Sequence, residues 1–119
     1  MFVDTDERII GVNGLSNDVL IAIRAYLQGA VYCWCNTKGE IPFAARDFLG
    51  GENFFWEGTP MYELYDRYIR AGKSKEYAFE QAAKDAGKIL KSVLHDDKRY
   101  FKSTDGYRKS YAWEPQRTP

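Results

Sequence analysis

Apolar residues recur at Val19, Leu20, Ile23, Tyr26, Leu27, Ala30, Val31 and Trp34, a helical spacing held for more than four turns. A stripe that long fixes an amphipathic helix over about 17–35, with Ser16, Asn17 or Asp18 as cap and Asn36–Gly39 as terminator. A second helical face runs through Ala78, Phe79, Ala82, Ala83, Ala86, Ile89, Leu90, Val93 and Leu94, behind a Ser74 cap with Glu76 near the positive helix end. Between them, Thr59-Pro60 predicts a helix start with Thr as cap and Pro at the first position. Its stripe is Met61, Leu64, Tyr65 and Tyr68, and Gly72 stops it. Each stripe needs another element to bury it, so the chain is expected to be a helical body.

Shorter signals fill the rest. Met1-Phe2-Val3 and Arg8–Val12 are β-prone, and Asn13-Gly14 marks a turn. Pro42 biases Ile41 toward extended backbone in Glu40–Phe43, and Ala44–Leu49 reads as a short helix halted by Gly50-Gly51. Lys98–Trp113 reads as a basic, aromatic β-hairpin turning at Thr104-Asp105-Gly106. The expected fold class is mainly α with a C-terminal β-hairpin (α+β). It forms one domain: an arm at 1–15, a helical body at 16–97, the hairpin at 98–114 and a tail at 115–119.

The charge balance sharpens this picture. Lys/Arg and Asp/Glu number 17 each, but residues 1–97 hold 11 against 15 and residues 98–119 hold 6 against 2. A cationic end therefore sits on an acidic body, and local sign governs which partner is steered in. Asp4, Asp6 and Glu7 break any N-terminal apolar run, and no stretch of ~20 apolar residues could span a membrane. A cytoplasmic chain with no membrane partner is expected. Cys33 and Cys35 lie about 200° apart around the first helix and cannot bridge each other there.

Three features carry functional weight. In the hairpin, Lys98, Arg99, Lys102, Arg108 and Lys109 can neutralise phosphates, while Tyr107, Tyr111 and Trp113 can pack on sugars or bases. The same charges also suit a solvated hairpin that protects its edge. Ala83 and Gly87 have the separation of a helix-turn-helix crossing, or else Gly87 is tolerated inside one continuous helix. Phe54, Phe55 and Trp56 cannot all face one core, so they form either a partner-binding patch or a lid.

The succession of a first helix, the extended Ile41-Pro42-Phe43, the helix at Ala44–Leu49, further helices and a hairpin at 99–113 resembles the winged-helix family of DNA-binding domains. The resemblance implies a helix before the hairpin that enters the major groove, with Lys84, Lys88 and Lys91 as groove-facing candidates. It implies a wing that touches the backbone through Lys102, Arg108 and Lys109. The chain has a helix more than the minimal fold, and Asp85, Asp96 and Asp97 place negative charge near the implied surface.

Catalytic signals are thin. His95, beside Asp96 and Asp97, suits a helix C-terminus. Cys35 has no local partner motif, and no phosphate-binding glycine loop is present. Two Cys and one His do not fill a four-ligand zinc site, so no metal or cofactor is expected. The reading is a non-enzymatic DNA-binding domain, a small regulator of double-stranded DNA. The alternative is a protein-binding module or inhibitor acting through Phe54, Phe55, Trp56 and the cationic hairpin.

Overall fold

A computed structural model describes residues 2–3, 12–48, 56–104 and 110–117. Three α-helices, α1 (Asn17–Lys38), α2 (Tyr62–Arg70) and α3 (Lys75–Asp96), are joined by β1 (Phe2–Val3), β2 (Tyr100–Thr104) and β3 (Ser110–Trp113). The α+β class with a C-terminal antiparallel hairpin is the one the sequence predicts.

The helix boundaries follow from capping chemistry. Ser16 Oγ accepts from Val19 N at 3.3 Å to start α1, and Gly39, at φ 60°, ends it by donating its N–H to the Cys35 carbonyl. Ser74 does the same for α3, accepting from Tyr77 N at 3.2 Å. The start of α2 differs from expectation. Thr59 spends its hydroxyl on a preceding turn, donating to the Trp56 carbonyl at 2.8 Å and accepting from Met61 N at 3.2 Å, so the helix proper begins at Tyr62. Ala44–Leu49 is represented by a single 3-10 turn, Ala45–Phe48.

α3 runs without a break through Gly87. The Ala83–Gly87 spacing is therefore not a helix crossing, and the glycine is tolerated at ~1 kcal/mol relative to alanine. Ala83 and Phe79, expected to be buried, are exposed. α3 packs against α2, α1, β1 and the 3-10 turn. Asp85 and Lys91 are buried beside the expected Ala86, Ile89, Leu90, Val93 and Leu94, a wider face than the apolar stripe predicts.

The hairpin is anchored on both edges. β2 and β3 pair antiparallel with Phe101 opposite Trp113 and Ser103 opposite Tyr111, and β1 adds a parallel strand beside β2. On the far edge Phe43 and Tyr111 exchange both backbone hydrogen bonds, at 2.8 and 2.7 Å. The extended Pro42 region thus caps the strand edge that would otherwise lie open. Phe43 packs edge-on to Phe101 at 6.0 Å and against Phe48 at 5.1 Å, while Trp34 meets both Phe43 and Phe48 from α1. The turn at 105–109 and the triplet members Phe54 and Phe55 lie outside the described residues, as does all of the β-prone Arg8–Val12 piece except Val12.

Candidate functional site

Lys84, Lys88 and Lys91 follow one another at four- and three-residue steps, which sets them on one face of α3. With Gly87 and Leu90 of the same helix, Ala45 of the 3-10 turn and Tyr111 of β3, they line a cavity of about 310 Å³. No carboxylate is among those lining residues. Lys84 and Lys88 are exposed, and Lys84 also lies 3.4 Å from Glu80 one turn back. Lys91 forms the inner wall and is buried. His95, exposed, continues the same face one turn further. The rest of the lining is Ala45, Gly87, Leu90 and the Tyr111 ring, so the site is a mostly apolar trough with two exposed lysines on it.

The acidic residues of this region are removed from the trough by pairing elsewhere. Asp85 points into the body, where its carboxylate accepts from Arg67 and from the Tyr68 hydroxyl at 2.8 Å. Burial and that hydrogen bond push the Tyr68 phenol above its ordinary value. Asp97, buried at the end of α3, accepts from Arg99 N and from Gln28 Nε2, both at 2.8 Å. Asp96 stays exposed but is held at 2.7 Å by Arg24, which also donates to Ser92. Of the three carboxylates that would oppose a polyanion, two are internal and all three have cationic partners.

The hairpin candidates separate. Lys98 and Lys102 are exposed, but Lys102 lies on the opposite face of the sheet from Phe101 and Tyr111, away from the trough. Arg99 is not a solvent-facing cation. It pairs with Asp97 at 3.1 Å and stacks on Tyr32 at 4.3 Å and Trp113 at 5.7 Å, leaving its side chain 15% exposed. Tyr111 is 4% exposed, so its ring serves the core and one wall of the trough instead of standing free on the hairpin. Tyr107, Arg108 and Lys109 lie outside the described residues. The structure therefore brings the α3 lysines together and places Arg99 and Lys102 elsewhere.

A second concavity, about 340 Å³, lies between α2 and the start of α3, lined by Trp56, Glu57, Tyr62, Tyr65, Ile69, Lys75 and Phe79. Trp56, expected either on a partner-binding patch or in a lid over the core, is 3% exposed and helps line this cleft, which suits the lid. Sequence reasoning missed Tyr62, Tyr65 and Phe79 as a group. The Tyr65 and Phe79 rings come from different helices and lie 4.8 Å apart, a proximity that no local spacing encodes. Gly87 and Ala45 were missed as trough residues for the same reason. Partial burial, then the Asp66 and Glu57 carboxylates, push the Tyr62 phenol upward.

His95 lies 3.8 Å from Asp96 on an exposed helix end, whereas Cys35 is buried in the core. Burial pushes the Cys35 thiol up, Arg99 pulls it back and Asp97 adds to the rise. Both cysteines are free thiols. Among the described residues no group of three His, Cys, Asp or Glu side chains could hold a metal ion, and no helix is long and apolar enough to cross a membrane. No protein-family model, curated protein or solved structure matches the chain.

Proposed function

We propose that the chain is a non-enzymatic DNA-binding domain, a small cytoplasmic regulator that grips the duplex backbone along the exposed face of α3. The observation that carries this reading is the trough that Lys84, Lys88 and Lys91 line together, with Lys84 and Lys88 exposed. The Phe43–Tyr111 bridge ties the segment after α1 to the last hairpin strand, beside this face of α3. Lys98, exposed, would extend the contact beyond the helix.

Binding of this kind releases counterions, so the logarithm of the binding constant falls linearly with the logarithm of salt concentration at a slope of about −0.9 per neutralised phosphate. Lys84→Ala and Lys88→Ala are each expected to weaken a labelled duplex uniformly across sequences and to flatten that slope by ~1. Fluorescence anisotropy over a salt series measures both quantities. Absence of any duplex binding by the folded protein at low salt would end the reading.

The aromatic cleft favours a second reading, a protein-binding module. Trp56→Ala is a poor probe because the ring is internal, whereas Phe79 is 36% exposed and presents its ring at the cleft beside Tyr65. Under this reading Phe79→Ala depletes the set of chemically cross-linked partners. An unchanged set removes the cleft from consideration.

A further inference from the structure

We propose that Gly87 is the point at which a phosphodiester backbone comes closest to α3, and that its missing side chain is what lets the chain of phosphates settle between the lysines. The inference rests on the duplex-binding reading above and adds to it the residue that sets the depth of the contact.

A glycine inside a helix lowers stability relative to alanine, so its presence calls for a reason. Two structural reasons fail here. The backbone at Gly87 is right-handed helical, so no positive φ demands glycine. Nor does packing demand it, since a Cβ built at Gly87 meets no atom within 4 Å. The space that a side chain would enter is the trough itself. Lys84 lies one turn before Gly87, Lys88 is its neighbour and Lys91 lies one turn after, with Ala45 and Tyr111 opposite. A larger residue would stand in the trough among these three lysines.

A backbone seated there would place successive phosphates near Lys84 and near Lys88 and Lys91, which are about 6 and 10 Å along the helix from Lys84. Its sugar edge would lie against the Tyr111 wall. No lysine is lost when Gly87 is replaced, so the salt dependence and the depth of approach become separable quantities.

The test compares Gly87→Ala and Gly87→Leu with Gly29→Ala. Gly29 is also a helix-interior glycine with an open Cβ position, but it lies on the exposed face of α1 and lines no part of the trough. Both alanine variants are expected to raise the melting temperature. Gly87→Ala should weaken the duplex by about tenfold, and Gly87→Leu by more, through loss of close contact. The salt slope should stay at its original value for both, and Gly29→Ala should bind as the unaltered protein does. If a folded Gly87→Ala protein binds duplex with undiminished affinity, the close-approach role is overturned while duplex binding stands. If the unaltered protein binds no duplex, both proposals fall together.

Discussion

Replacing Asp85 with alanine is expected to cost about 3–5 kcal/mol of folding stability, a large part of the total for a domain of this size. The Asp85 side chain is 8% exposed and that of its partner Arg67 is 12% exposed. Arg67 also donates to the Asn13 carbonyl, while its Nε, buried, has no hydrogen-bond partner among the described residues. Removing the carboxylate leaves a largely buried guanidinium and the Tyr68 hydroxyl without their shared acceptor, beside a cavity of about 370 Å³. The pair ties α2 and the segment before α1 to the middle of α3, so the loss acts on three elements together. Urea denaturation measures the effect. The double change Arg67→Met with Asp85→Leu should recover much of the loss, because the cost lies in stranding one charge. A single-variant loss below ~1 kcal/mol would place the pair in solvent-exposed territory instead.

Asp97→Ala is expected to be nearly as damaging, at about 3 kcal/mol, since it strands Arg99 in the same way. The Asp97 carboxylate is 3% exposed and receives Arg99 twice, through N and through the guanidinium, as well as Gln28 from α1. It also sits at the C-cap of α3 and so governs the exit into β2. The milder Asp97→Asn keeps the shape and one acceptor oxygen, and it carries a second signature. Asp97 raises the Cys35 thiol and Arg99 lowers it, so without the carboxylate the thiol should ionise at lower pH than before. Thiol titration in a Cys33→Ser background reads this directly. An unshifted Cys35 titration in folded Asp97→Asn would show that the carboxylate does not act on the sulfur.

Much of the helical body is legible in the sequence because its signals are local. Ser16 and Ser74 cap the helices they precede, and Gly39 and Gly72 adopt positive φ at helix ends. The site is less legible because it depends on what packs against what. The positions of Lys84, Lys88 and Lys91 on one face follow from spacing, but the trough exists only because Tyr111 and Ala45 arrive opposite them. The prominent hairpin cation Arg99 turns inward for a reason outside its own strand. Asp97 lies two residues back, and Tyr32 is presented by a helix more than sixty residues earlier. The acidic residues Asp85 and Asp97, which argue against a polyanion when merely counted, cease to do so once their partners Arg67 and Arg99 are known.

The Arg99 stack has a mechanical consequence. Its guanidinium is clamped between Tyr32 of α1 and Trp113 of β3, while Phe43 and β1 hold the two flanks of the sheet. The base of the hairpin is thereby bolted at three points to parts of the chain remote in sequence. A load applied to the hairpin passes into α1 and the Phe43 segment instead of being absorbed by bending where α3 ends. It behaves as a strut of the body, not as an arm hinged to it.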